Sequence, residues 1–128
     1  MRKMQYPLLA VLCAALASSA FAPSVLAADK DLSGEYAMKG TSLRPNSTPY
    51  VGVCTLKLEG PAYNVNCTNT DSGDKYVGRG LQRGDMFSLY LGEYLIVYHV
   101  QGDGALAGNW AHARSNDYGE ETLSPKSK

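Results

Sequence analysis

Cys54-Thr55-Leu56-Lys57-Leu58-Glu59-Gly60-Pro61-Ala62-Tyr63-Asn64-Val65-Asn66-Cys67 reads as a β-hairpin tied near its open end. Glu59-Gly60-Pro61-Ala62 supplies turn residues between two alternating runs. Taken as a four-residue loop, it sets Leu58 against Tyr63, Leu56 against Val65 and Cys54 against Cys67. Directly opposed residues of an antiparallel pair come close enough for a disulfide. Such a bridge stabilises a fold by roughly 3 kcal/mol in the chain-entropy model. The alternative is a pair of buried free thiols.

The N-terminus points to an oxidising compartment. Residues 1–27 read as a secretory signal peptide: Arg2 and Lys3 form the basic start, residues 8–17 are apolar, and Val25-Leu26-Ala27 offers a cleavage site. The apolar run is short for a bilayer span, and Ser18, Ser19 and Pro23 interrupt it, which argues against a retained anchor. Cys13 follows Leu12 within this run, where a lipoprotein signal requires a small residue. Cleavage after Ala27 leaves one domain over residues 28–128, with Cys54 and Cys67 as its two cysteines. Without Arg2 and Lys3 the basic residues number 10 against 12 acidic ones. No basic patch or motif points to nucleic acid. The chain is expected in the periplasm or secreted, with no transmembrane span after cleavage.

Period-two stretches recur along the mature chain, broken by Gly, Pro, Asp and Asn. They place strands over residues 34–39, 50–58, 63–68, 76–82, 85–91, 94–100, 105–112 and 118–123. The first connection, 40–49, is long and holds two prolines; the others are short, which favours pairing between sequence neighbours. The fold expected is all-β: a small antiparallel up-and-down barrel of about eight strands with one disulfide hairpin. A β-sandwich is the alternative. Arg83-Gly84 as a two-residue loop pairs Gly80 with Phe87, Gly78 with Leu89 and Tyr76 with Leu91. Gly92-Glu93 sets Leu91 against Tyr94 and Phe87 against Tyr98. Gly102-Asp103-Gly104 as a three-residue loop sets Val100 against Leu106, Tyr98 against Gly108 and Ile96 against Trp110. One face is then continuous from Cys54, Leu56 and Leu58 to Val100, Leu106 and Trp110. Small residues oppose large ones across it, as a tight lumen requires. The other face carries Val51, Val53 and Leu81, and a stripe of Val77, Met86, Tyr90, Leu95 and Val97. That stripe is a candidate surface for a protein partner or a homodimer.

The elements Gly34-x-Tyr36, Tyr50-x-Gly52, Tyr63-x-Val65, Gly78-x-Gly80, the segment Gly102-Asp103-Gly104-Ala105-Leu106-Ala107-Gly108-Asn109-Trp110, and Gly119-x-Glu121-Thr122-Leu123 recur together. With them the chain resembles a group of small exported bacterial β-barrel proteins of mostly unknown function, some labelled fibronectin-binding. The resemblance spans nearly all of the mature chain and implies a barrel and a host matrix protein such as fibronectin as partner. The Gly-x-Trp element at Gly108 and Trp110 also resembles that of lipocalin and avidin barrels, although lipocalins carry it on their first strand. No ligand and no binding residue is carried over from either.

The sequence gives little sign of catalysis. His99 falls on the outer face and His112 on the inner face near a strand end. No Cys or His cluster has metal-ligand spacing, and there is no nucleophile elbow, phosphate loop or cofactor motif. Glu35, Glu120 and Glu121 are not brought together by any pattern and read as solvated. Arg83-Gly84-Asp85 matches an integrin-binding tripeptide but is also ordinary turn composition, and Asp71-Ser72-Gly73-Asp74 lacks the spacing of a calcium loop. The aromatics stand out, with eight tyrosines in the mature chain. Trp110, Tyr98, Tyr94, Tyr76 and Asn109 are the candidate lining of a barrel mouth able to hold a small amphipathic ligand; the alternative is a lumen filled by its own side chains. The function expected is that of a non-catalytic exported envelope protein, needing no cofactor and acting as a binding module. A lipocalin-like carrier, or an enzyme inhibitor using the loop 43–50, are the alternatives.

Overall fold

The structure is a computed structural model that describes residues 29–126. The leader expected over residues 1–27 lies outside the described residues. Eight strands follow in order: β1 (Gly34–Arg44), β2 (Thr48–Glu59), β3 (Ala62–Asn69), β4 (Lys75–Arg83), β5 (Met86–Leu91), β6 (Tyr94–Val100), β7 (Leu106–His112) and β8 (Tyr118–Pro125). Each pairs antiparallel with its sequence neighbour, and β1 also pairs with β8. The sheet is therefore a closed up-and-down barrel rather than a sandwich. Alternation drives it. In β5, Phe87, Leu89 and Leu91 are buried while Met86, Ser88 and Tyr90 face outward, the pattern of a strand with one face on a core.

The disulfide hairpin has the expected register, with Cys54 opposite Cys67, Leu56 opposite Val65 and Leu58 opposite Tyr63. Its turn is tighter than four residues, because Glu59 also pairs with Ala62. Cys54 and Cys67 form the disulfide, with Cα atoms 4.1 Å apart. The β5–β6 and β6–β7 registers match the expectation as well. Gly104 takes a φ of +88°, and the Gly104 N–H donates to the Gln101 carbonyl at 3.0 Å.

Three expectations need correction. The β4–β5 loop is Gly84-Asp85, not Arg83-Gly84, so Gly80 opposes Leu89 and Gly78 opposes Leu91. Gly84 takes the first loop position at a φ of +60°, which a side chain disfavours. The shift is two residues, so every side chain keeps its face. Second, the connection expected over 40–49 is mostly strand. β1 runs to Arg44 and β2 starts at Thr48, and the exposed tip of this hairpin replaces the free loop on which an inhibitor reading rested. Third, Leu58 has the inward parity but is 40% exposed, because β2 outruns the core at that end.

The two ends of the barrel differ. At the end carrying the β2–β3, β4–β5 and β6–β7 turns, Leu32 plugs the lumen and is 2% exposed. Its N–H donates to the Tyr63 hydroxyl at 3.0 Å, and its carbonyl accepts from the Tyr36 hydroxyl at 2.6 Å. Tyr63 and Tyr36 thus gain the polar partners that buried tyrosines need. Phe87, Tyr98, Leu106 and Leu123 fill the lumen behind this plug. The opposite end, where Tyr50, Tyr76, Tyr94 and Trp110 are only partly buried, stays open. Replacing both Cys54 and Cys67 with Ala should lower the unfolding free energy by roughly 3 kcal/mol. Urea denaturation of the double variant beside the oxidised wild type checks this, and an unchanged midpoint would contradict it.

Candidate functional site

One transverse row of inward-facing positions organises the open half. Tyr98 of β6 opposes Gly108 of β7, Gly108 opposes Glu121 of β8, Glu121 opposes Gly40 of β1, and Gly40 opposes Tyr50 of β2. A glycine stands on each side of Glu121, and each tyrosine leans across one of them. A Cβ at Gly40 would lie 2.3 Å from the Tyr50 hydroxyl oxygen, and one at Gly108 would lie 2.9 Å from Tyr98 Cδ1. The Tyr50 hydroxyl donates to Glu121 Oε2 at 2.7 Å, and the Tyr98 hydroxyl donates to Glu121 Oε1. Each carboxylate oxygen thus has one donor.

Glu121 is 7% exposed and is the one charged residue in the core among the described residues. Burial raises its pKa above the ordinary 4.5, and the hydroxyls of Tyr98 and Tyr50 offset only part of that. Burial, and then the neighbouring carboxyl, push Tyr98 and Tyr50 well above the usual tyrosine range, so both hydroxyls stay protonated and donating.

Above this row lies a cavity of about 210 Å³. It is lined by the rings of Tyr50, Tyr76, Tyr94 and Trp110, by the apolar side chains of Met38, Leu91 and Ile96, and by the polar groups of Glu121, Ser42, Asn69 and Asp117. The rings stand edge to face. Tyr76 and Tyr94 have centroids 5.9 Å apart at 82°, and Tyr94 and Trp110 5.2 Å apart at 86°. His112 stacks edge-on against Tyr94 at 5.1 Å and bonds Glu93 at 3.2 Å, and Arg114 also pairs with Glu93. Trp110 lies over Gly119, where a Cβ would come within 2.6 Å of the indole. The Trp110 indole N–H is buried beside the Tyr50 hydroxyl.

Of the expected lining residues, Trp110, Tyr94 and Tyr76 meet at the cavity. Tyr98 does not line it; fully buried, it holds Glu121 from behind. Asn109 does not join them either. It is exposed opposite Val97 and Glu120, because its parity is opposite to that of Trp110. Glu121 was expected to be solvated with Glu35 and Glu120, and only those two are exposed. The signal for Glu121 was its spacing: Gly119, Glu121 and Leu123 alternate onto one face, and Leu123 is core. Tyr50 shares parity with Cys54 and was legible in the same way.

Val77, Met86, Tyr90, Leu95 and Val97 are all exposed, from 41% for Met86 to 67% for Val77. Of the tripeptide Arg83-Gly84-Asp85, Arg83 ends β4 and Gly84-Asp85 form the turn, where Asp85 is engaged by His99 Nε2 at 2.7 Å. Asp71 and Ser72 donate their N–H groups to Asn69 Oδ1 in the β3–β4 turn. Among the described residues no group of three or more His, Cys, Asp or Glu stands where it could hold a metal ion, and no helix is long and apolar enough to cross a membrane. The sequence matches no protein-family model and no curated protein.

A carboxyl whose pKa is raised by folding favours the native state below its unfolded pKa, and that advantage fades as pH rises through the folded value. Wild-type stability relative to Glu121→Gln, which cannot titrate there, should therefore fall as pH rises from about 4, the ordinary carboxylate range, into the neutral range. Urea unfolding of both proteins across that range reads the difference; a pH-independent gap would contradict it.

Proposed function

We propose that this protein is a non-catalytic exported binding protein that holds a small amphipathic molecule in the open mouth of its barrel. The observation that carries this reading is the asymmetry of the lumen. One end is plugged by Leu32, while the other leaves a cavity walled by aromatic rings and lined by a buried carboxyl. A concave apolar site with a few convergent polar groups is the usual form of a small-molecule site. Its volume is below the roughly 300–1,000 Å³ of drug-sized pockets, so the occupant is small. Export and an envelope location rest on the leader-like residues 1–27 and agree with the disulfide.

Trp110 is the sole tryptophan and stands in the cavity wall. Its emission should change saturably with at least one member of a panel of phenol, tert-butanol, butylamine and butyrate. Ser42→Phe, which places a ring at the rim, should weaken that response by about tenfold or more while leaving the fold intact. No response from any member would overturn the reading.

A second reading concerns the outer face. Val77 and Leu81 of β4, Met86 and Tyr90 of β5, and Leu95 and Val97 of β6 lie on three adjacent strands, all exposed. Such a stripe suits a protein partner or a second copy of the chain. A host matrix protein such as fibronectin is proposed on the resemblance alone. Sedimentation velocity of wild type and Leu95→Asp tests the homodimer: it requires a dimer that the substitution dissociates, and a wild-type monomer across the concentration range rejects it.

A further inference from the structure

The charged side chains lining the mouth cavity are of one sign. Glu121 and Asp117 line it, and no Lys, Arg or His does. The basic side chains at the end of β7, His112 and Arg114, are engaged by Glu93 in the β5–β6 turn. Glu121 itself has hydrogen-bond donors but no counter-ion, since no salt bridge reaches it among the described residues. A buried carboxylate without a cation lowers stability.

The rings add to the same field. An aromatic face is the negative side of its quadrupole. Tyr76, Tyr94 and Trp110 all line the cavity, with neighbouring rings nearly at right angles. A ring whose face lines a cavity attracts cations and repels anions. Met38, Leu91 and Ile96 offer alkyl contact in the same cavity.

We propose that the cavity binds a small organic ammonium ion, its charged head among the rings of Tyr76, Tyr94 and Trp110 and facing the Glu121 carboxylate. This rests on the reading of the mouth as a small-molecule site and names the chemical class of its ligand. An alkylated ammonium fits better than a metal ion. It is weakly hydrated, presents methyl groups to the rings, and needs no coordination sphere, whereas Glu121 already spends both oxygens on tyrosine hydroxyls.

The test compares choline with its uncharged tert-butyl isostere, which has the same shape without the charge. Wild-type protein is titrated with each, and binding is read by Trp110 emission and by calorimetry. Choline should bind saturably, and the isostere about tenfold more weakly or worse. Glu121→Gln should bring the two ligands together by weakening choline alone. Tyr94→Leu, which removes a ring at the mouth and leaves the Glu121 row intact, should do the same if Glu121→Gln does not fold. Equal binding of choline and the isostere by the wild type would overturn the ammonium assignment and leave a small-ligand site standing. So would silence with choline alongside a response to phenol or tert-butanol. Silence with every probe would remove both readings.

Discussion

The row Tyr98–Gly108–Glu121–Gly40–Tyr50 spans five strands and crosses the β8–β1 seam that closes the barrel. Eight strands enclose little more than their own side chains, so a carboxyl, two phenols and their hydrogen bonds fit only if neighbouring positions are empty. The two glycines provide that emptiness. Each lets a tyrosine lie flat over its backbone and reach the acid from the side. The arrangement ties β2 and β6 to β8 across strands that separate them. It also fixes register, because a slip of one residue at the seam would turn Glu121 outward and bring its solvated neighbours in.

This row divides the lumen. Toward the plugged end, Phe87 stacks with Tyr98 at 6.1 Å and meets Tyr63 edge-on at 5.5 Å, and Leu106 and Leu123 are without measurable exposure. That half is an ordinary apolar core, dense enough that losing a methylene group is felt. Toward the mouth the large side chains stop short of one another. Trp110 is drawn back over Gly119 and Tyr50 over Gly40, which clears the middle. The cavity is thus a consequence of where the glycines are, not of a missing side chain.

Most of the fold was legible because turn glycines and alternation specify the same register independently. Cys54 opposite Cys67, Leu91 opposite Tyr94 and Val100 opposite Leu106 follow from short loops of defined length. The misread β4–β5 loop did no harm to the face assignment, since a two-residue shift preserves parity. Parity also explains what went unread at the site. Tyr50 and Glu121 lie on the inward face by simple alternation from Cys54 and Leu123, yet a carboxylate at such a position looks solvated until its donors are known. Those donors come from β2 and β6, neither of which pairs with β8. Asn109 errs the other way: it neighbours Trp110 in sequence and faces away from it. The Leu32 plug was out of reach, because it lies outside any strand and so carries no periodic signal.

Glu121 belongs to both halves of the molecule at once, as the anchor of the tyrosine row and as part of the cavity lining. As an anchor alone it is a poor choice. A buried acid without a counter-charge lowers stability, and an apolar residue between two phenylalanines would pack the same space without desolvation. Groups that cost stability in this way are characteristic of sites where binding needs them. A ligand that contacts the carboxyl in the native barrel and not in the unfolded chain returns part of that cost as native-state stability. Occupancy of the mouth and integrity of the seam are therefore linked through one side chain, and the strength of that link depends on the charge the occupant presents to Glu121.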